Sequence, residues 1–211
     1  MIRKIAVIDY GFGNIKSVLN ALSACGAEGH VISDPEKIAG FGGAVLPGVG
    51  AFGPAADFLT KKGFGNALKD YAARGNMIFG ICLGFQLFFT KGYENGEHYG
   101  LGLINGEVKK FEFKDLTLKI PHMGWNSVEI TDTPGARKMF KGVRPGDDFY
   151  FVHSYYAEAE DKSYVSCFCD YGIKFCSSAA HENIWGSQFH PEKSGDEGLK
   201  VFSNFINEVN K

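Results

Sequence analysis

The chain has 211 residues, of which 45% are hydrophobic and 22% are charged, and its formal net charge at neutral pH is -2. This is the balance of an ordinary globular protein, and we expect one domain over residues 1–211. There is no run of basic residues to bind nucleic acid, and no apolar stretch approaches the roughly 18 residues of a membrane span. The five cysteines include no CxxC pair, which favours free thiols in the cytoplasm over a disulfide framework.

Strand-like and helix-like patterns alternate from Lys4 to Gly92. The first run, KIAVID, is continuously apolar, as expected of a strand buried on both faces of a parallel sheet. Apolar residues then recur with helical spacing from Ile15 to Leu22, and Gly26 marks the end of that helix. The patterns predict strands at 4–9, 30–34, the start of 42–52 and 77–81, and helices at 15–26, 65–75 and 83–92.

Beyond residue 100 the pattern changes to short strand-like segments separated by turns. The predicted strands are 102–113, 118–130, 148–159, 163–172 and 173–190, and a last helix covers 197–209. We interpret these strands as a mixed or antiparallel extension of the first sheet. The predicted fold class is therefore α/β, a doubly wound mixed sheet with helices on both faces.

Cys82 lies alone at the end of the fourth predicted strand, in the sequence GICLG. Glycines two residues before and two after it, Gly80 and Gly84, are typical of the sharp turn that presents a hydrolase nucleophile. The helix that follows favours the thiolate form at its N-terminus. No such context surrounds the other four cysteines, which we interpret as buried core residues (Cys25, Cys167, Cys169 and Cys176).

A base for this nucleophile is predicted in the sequence SQFHPEKS. Pro191 favours an extended conformation at the preceding residue, and residues two apart in an extended chain point to the same side. His190 and Glu192 are therefore expected side by side, the imidazole as general base and the carboxylate fixing its tautomer. The remaining histidines have no such partner in the sequence: His30 and His98 are expected at the surface, and His122, His153 and His181 in structural positions.

An oxyanion hole is the third requirement of a covalent hydrolase. One predicted donor is the backbone N–H of Leu83, which directly follows the nucleophile. The loop LPGVGAF provides another, since Gly48 and Gly50 permit unusual backbone angles around Val49. The loop has no following G-K-[ST] and is not a phosphate loop, although it could also be an ordinary turn between a strand and a helix.

Taken together, GICLGFQL, LPGVGAFG and QFHPEKS resemble the class I (triad-type) glutamine amidotransferases, which have a flavodoxin-like α/β fold. More narrowly, IDYGFGNIKSV, PHMGWNSV and FYFVHSYY resemble the glutaminase subunits of imidazole glycerol phosphate synthase, an enzyme of histidine biosynthesis. The resemblance extends over essentially the whole chain. Phe85 is a departure, since the family usually has methionine there.

The resemblance implies a glutaminase that needs no cofactor or metal ion. Its Cys82 thiolate attacks the amide carbon of glutamine, and the ammonia passes to a cyclase subunit in a heterodimer. The residues that the resemblance assigns to glutamine binding are Gln86, Ser154 and Tyr155, and those it assigns to the partner interface are Asn14, Trp125, Tyr150 and Lys193. An ordinary half-buried core position is the alternative for Trp125.

Three other interpretations remain open from the sequence. A stand-alone cysteine peptidase or γ-glutamyl hydrolase would be fully active without a partner. A binding module derived from an enzyme would have lost a member of the triad, whereas Cys82, His190 and Glu192 are all present. A paralogous amidotransferase would supply ammonia to a different synthase, and only the identity of the partner distinguishes that case.

Overall fold

The computed structural model of the protein describes residues 3–113 and 117–209. The strands, in chain order, are β1 (Lys4–Ile8), β2 (Glu28–Ile32), β3 (Gly43–Gly48), β4 (Met77–Cys82), β5 (Phe89–Gly92), β6 (His98–Tyr99), β7 (Ile104–Lys110), β8 (His122–Ser127), β9 (Glu129–Ile130), β10 (Asp148–His153), β11 (Tyr155–Ala159), β12 (Val165–Asp170), β13 (Lys174–His181) and β14 (Ile184–Ser187). The helices are α1 (Ile15–Ala24), α2 (Phe52–Lys61), α3 (Phe64–Ala73), α4 (Leu83–Gln86), α5 (Pro134–Met139) and α6 (Gly195–Glu208).

One large mixed sheet organises the chain in the order β2-β1-β3-β4-β14-β13-β11-β7-β5-β6, with β12 and β9 attached beside β13. The first five strands in this order are parallel, and most of the others pair antiparallel. The predicted fold class, a doubly wound mixed sheet, is therefore confirmed.

Helices cover both faces of the sheet. In β1, Ala6 and Ile8 belong to the core that includes α2 and α3, whereas Ile5 and Val7 belong to the core that includes α1 and α6. All four side chains are fully buried, which explains why this strand is a continuous apolar run rather than an alternating one.

The carboxyl ends of three neighbouring parallel strands meet at one edge of the sheet. Cys82 ends β4 and is paired in register with Gly48, which ends β3. Ser187 ends β14 on the other side of β4 and is paired with Ile81. Ligands bind at such strand ends in open α/β sheets, so the topology places the predicted nucleophile and the start of the His190 segment at an expected ligand position.

The predicted helix over 83–92 is wrong beyond its first turn. Helix α4 ends at Gln86, and the chain then enters strand β5, which lies between β7 and β6 in the sheet. Leu87, Phe88 and Phe89 are all fully buried, so the run has no polar face whose spacing could distinguish a helix from a strand. Helices α2 and α5 were not predicted, because glycine and proline at their beginnings resemble loop sequence.

The segment predicted as one strand over 148–159 is two strands with different partners. Strand β11 joins the large sheet beside β7, whereas β10 pairs antiparallel with β8 in a separate two-stranded sheet. The expectation that these segments all extend the first sheet is therefore wrong for β8 and β10.

None of the helices within residues 3–113 and 117–209 is both long and apolar enough to span a membrane. All five cysteines are free thiols, and Cys167, Cys169 and Cys176 are buried in the core as expected. Cys25 is partly buried at the end of α1.

Candidate active site

Cys82 occupies the sharp turn that its flanking glycines predict. Its φ of +53° is uncommon for a residue with a side chain, and the helix α4 begins at the next residue. A Cβ at Gly80 would lie 2.6 Å from the Phe88 ring, and a Cβ at Gly84 would collide with the carbonyl oxygen of Leu46. Both glycines are therefore required by the close packing of this turn.

His190 and Glu192 form a buried pair near the cysteine, although Pro191–Lys193 form a short 3₁₀ helix and not the predicted extended segment. The His190 Nδ1 atom lies 2.7 Å from the Glu192 Oε1 atom, and their side chains are 2% and 1% exposed. The backbone N–H of His190 donates to the carbonyl of Tyr150 at 2.9 Å. The hydroxyl of Ser194 donates to the carbonyl of His190 at 2.6 Å, so hydrogen bonds fix both the ring and the backbone.

The charge state of His190 reflects its neighbours. Burial opposes the imidazolium, but the Cys82 sulfur and the Glu192 carboxylate outweigh burial, and the pKa of His190 is raised above its ordinary value. Its Nε2 atom is buried and has no hydrogen-bond partner among the described residues. That nitrogen is therefore free to exchange a proton with a reacting group.

A cavity of about 370 Å³ opens beside the cysteine. Most of the predicted site residues line it, and the structure adds further residues that the sequence did not indicate. The lining residues are Val49, Gly50, Cys82, Leu83, Gln86, Glu94, Pro121, Val152, His153, Ser154, Tyr155 and His190.

The two predicted oxyanion donors differ in their present geometry. Leu83 is the first residue of α4 and lines the cavity, so its N–H has no partner from within the helix. The N–H of Val49 instead donates to the carbonyl of Phe12 at 2.8 Å. Gly50, next to it, has a φ of +101°.

Gln86 is held by a chain of amides that leads to the cysteine. Its Nε2 atom donates to the Tyr155 carbonyl and to Gln188 Oε1, both at 2.9 Å. Gln188 Nε2 in turn lies 3.6 Å from the Cys82 sulfur. Gln188 was missed from the sequence, because its contact with Gln86 joins segments that are 102 residues apart.

Glu94 and His153 were also missed. Glu94 follows β5, and its Oε2 atom accepts a hydrogen bond of 2.7 Å from the backbone N–H of Phe52. Nothing in the local sequence indicates that either residue would reach the cavity, because sheet pairing and loop position bring them there.

The residues assigned to the partner interface are mostly found together on one surface. Trp125 and Tyr150 are paired across β8 and β10, with ring centroids 6.1 Å apart, and Lys193 Nζ lies 5.7 Å from the Tyr150 ring. Trp125 is 58% exposed, so a core position is excluded. Asn14 precedes α1 and makes no side-chain cap to that helix.

The geometry is that of a covalent hydrolase. A strained cysteine at a helix start, a buried His–Glu pair and a cavity with backbone donors are the parts needed to form and cleave a thioester. The cavity also contains one carboxylate outside this set, Glu94. No group of metal-ligating side chains is found in the described part of the chain.

Comparison with known proteins identifies the class. The family model of the class-I glutamine amidotransferases matches residues 6–209, and the chain belongs to this family. Its relatives include the imidazole glycerol phosphate synthase subunits HisH of Moorella thermoacetica, 46% identical over 96% of this chain and 94% of the relative, and of Rhodopirellula baltica, 42% identical over 95% and 96%. Both relatives are subunits of a larger enzyme, which implies that each has a partner.

Solved structures agree on the fold. A putative GMP synthase component from Thermoplasma acidophilum has a TM-score of 0.75 at 21% identity, covering 98% of this chain and 94% of that chain. The structure of PurLQS from Thermotoga maritima also has a TM-score of 0.75 at 21% identity, covering 98% and 99%.

Proposed function

We propose that this chain is the glutaminase subunit of imidazole glycerol phosphate synthase, which works in the cytoplasm in a heterodimer with a cyclase subunit. It hydrolyses glutamine to glutamate and ammonia and passes the ammonia to the cyclase. The observation that carries the proposal is the cysteine turn beside the buried His190–Glu192 pair, in a chain that matches HisH subunits over nearly its full length.

In the first half-reaction, Cys82 attacks the side-chain amide carbon of glutamine. The negative charge that develops on the amide oxygen is stabilised by the N–H of Leu83 and, once it is turned into the cavity, by the N–H of Val49. The imidazolium of His190 gives a proton to the leaving nitrogen, and ammonia departs. A glutamyl thioester on Cys82 remains.

In the second half-reaction, water attacks the thioester carbon. His190, now neutral, accepts a proton from the water as its oxygen bonds to carbon. The carbon–sulfur bond breaks, glutamate leaves, and the thiolate and imidazolium are restored. Glu192 holds the Nδ1–H of His190 throughout and keeps Nε2 directed at the reacting atoms.

The cavity also contains groups suited to the amino-acid end of glutamine. Both amide hydrogens of Gln86 are used within the protein, so its Oε1 atom is the atom it offers to a ligand. That acceptor and the Glu94 carboxylate suit the α-ammonium group of glutamine. Ser154 and Tyr155, at the break between β10 and β11, provide backbone groups for the rest of the substrate.

Reconstitution with the partner tests this function. The chain is expected to co-purify with a cyclase subunit, and its glutamine hydrolysis is expected to rise strongly when the cyclase and its nucleotide ligand are present. Full activity of the isolated chain would favour a stand-alone hydrolase instead. Co-purification with a different synthase would favour a paralogous amidotransferase.

A further inference from the structure

Two buried histidines, His153 in the wall of the glutamine cavity and His122 behind it, have no part in the mechanism above. His122 and His153 are 2% and 6% exposed and are paired in register across β8 and β10. The His122 ring is stacked on Tyr171, with centroids 4.0 Å apart, and on Phe151, at 4.7 Å. A polar pair inside an aromatic cluster is costly unless its hydrogen bonds are complete.

The hydrogen bonds of this pair fix its protons. The Tyr155 carbonyl can only accept, so His153 Nδ1, 2.8 Å away, carries the hydrogen, and in a neutral ring Nε2 is then an acceptor. His122 Nδ1 lies 3.0 Å from that acceptor and must donate to it. His122 Nε2 is left to accept from Asn126 Nδ2 at 3.3 Å.

The chain of hydrogen bonds has one direction from Asn126 to the Tyr155 carbonyl. Burial lowers the pKa of His122 to about 4, and burial, with the neighbouring His122 and His190, lowers the pKa of His153 to about 3. Both rings are therefore neutral near pH 7, as this single direction requires.

One end of this chain of hydrogen bonds, the Tyr155 carbonyl, lies in the glutamine site. The Tyr155 carbonyl that accepts from His153 also accepts from Gln86. The hydrogen bonds to this carbonyl and to Gln188 use both hydrogens of Gln86 Nε2. The position of the Tyr155 carbonyl therefore fixes the orientation of the Gln86 amide and the direction of its Oε1 atom. The orientation of the Tyr155 peptide therefore sets the polarity of the cavity wall.

The other end of the hydrogen-bond chain, Asn126, lies on strand β8, which also carries Trp125 of the proposed partner surface. Alternation along β8 directs His122 and Asn126 inward, while Met123 and Trp125 are 61% and 58% exposed. A displacement of β8 would move the inward side chains together with the outward ones.

We propose that His122 and His153 are positioning residues that link strand β8 to the glutamine cavity by holding the Tyr155 carbonyl, and through it the Gln86 acceptor, in the orientation that binds glutamine. The inference rests on the proposed glutaminase function. It assigns neither histidine a contact with the reacting atoms.

Kinetics in the complex with the cyclase test the link. The His122→Phe variant retains a stacked ring but loses the hydrogen bond to His153, and it is expected to raise KM for glutamine about two- to tenfold with a smaller effect on kcat. The His122→Asn variant has an amide N–H in place of Nδ1–H and is expected to recover most of the loss. Phe175→Leu disturbs the same aromatic cluster without touching the hydrogen bonds, and is the matched control.

An unchanged KM in His122→Phe, or an equal rise in Phe175→Leu, would overturn the proposal. A second measurement needs no turnover: nitrogen-15 NMR of the full chain near pH 7 should show both rings neutral with the hydrogen on Nδ1. A hydrogen on Nε2 of either ring would contradict the assignment. Absence of glutaminase activity in the wild-type complex would contradict the proposed function. The NMR result would still test the chain of hydrogen bonds in that case, so the two failures are distinguishable.

Discussion

The backbone N–H of Val49 donates to the carbonyl of Phe12 at 2.8 Å, which directs the second predicted oxyanion donor away from its catalytic role. The neighbouring glycines of the loop, Gly48 and Gly50, would allow the peptide to reorient at small steric cost. An isolated chain with this geometry would hydrolyse glutamine slowly, which avoids release of ammonia without an acceptor. Partner binding would then shift the population towards the active orientation.

Val49→Pro tests the donor directly. Proline has no N–H, so partner-stimulated kcat is expected to fall about 10²–10³-fold, the usual cost of one oxyanion donor. Val49→Ala is the control, because it keeps the N–H and changes only a side chain that is 43% exposed. Steady-state glutaminase assays with saturating cyclase measure both, and equal activity of the two variants would exclude Val49 as the donor.

Substitutions in the His–Glu pair should separate proton transfer from orientation. His190→Ala is expected to reduce kcat almost as severely as loss of the nucleophile. Glu192→Gln retains a hydrogen-bond acceptor for His190 Nδ1. The reduction in kcat of this variant is therefore expected to be about 10–100-fold smaller than that of His190→Ala. Glutamine hydrolysis in the complex measures both losses, and a silent Glu192→Gln variant would contradict the orienting role.

The exposed indole of Trp125 should be an anchor of the partner interface. Trp125→Ala is expected to weaken binding of the cyclase by about 2 kcal/mol, or roughly thirtyfold in Kd, because exposed aromatics at interface centres carry much of the binding energy. Tyr99→Ala removes another exposed aromatic, on β6 outside the proposed surface, and should leave Kd unchanged. Isothermal titration calorimetry would measure both, and equal Kd values for the two variants would remove Trp125 from the interface.

Acid should destabilise the fold through His122 and His153. The pKa values of His122 and His153 in the folded protein are lowered to about 4 and about 3. Well above pH 6.5 both histidines are neutral in the folded and in the unfolded chain. As the pH falls below 6.5, the unfolded chain binds protons first. The free energy of unfolding is then expected to fall by roughly 2 kcal/mol for each histidine between pH 7.5 and pH 5. The raised pKa of His190 acts in the other direction, since its contribution is complete below pH 6.5 and is lost as pH rises through the folded value.

Urea unfolding at the two pH values measures this effect. The His122→Asn variant has one ionisable ring fewer in the cluster, so its free energy of unfolding should fall on acidification by about 2 kcal/mol less than that of the wild type. An equal loss in the variant and the wild type would show that other groups dominate.

The parts of the site that are local in sequence could be predicted. The turn around Cys82 follows from Gly80 and Gly84. His190 and Glu192 were also predicted side by side, and they are in contact, but the reason was wrong: only His190 is extended, and Pro191–Lys193 form a short 3₁₀ helix. The continuous apolar run of β1 likewise reports burial on both faces without tertiary information.

The parts that depend on strand pairing could not be predicted. His122 and His153 meet only because β8 and β10 leave the large sheet and pair with each other in one register. Glu94 reaches the cavity through the position of the loop after β5. The residues of β5 were predicted as helix because Leu87 to Phe89 is apolar throughout. Gln188 could not be predicted either, since its contact with Gln86 joins segments far apart in the sequence.

The most direct test of the account is the Cys82→Ala variant in the reconstituted complex, assayed with glutamine and, separately, with ammonium salts as the nitrogen source. Loss of the sulfur removes the covalent route, so glutamine hydrolysis should disappear while ammonia-dependent synthesis by the cyclase continues at the wild-type rate. Glutamine turnover that persists in the variant would contradict the assignment of Cys82 as the nucleophile and, with it, the proposed mechanism.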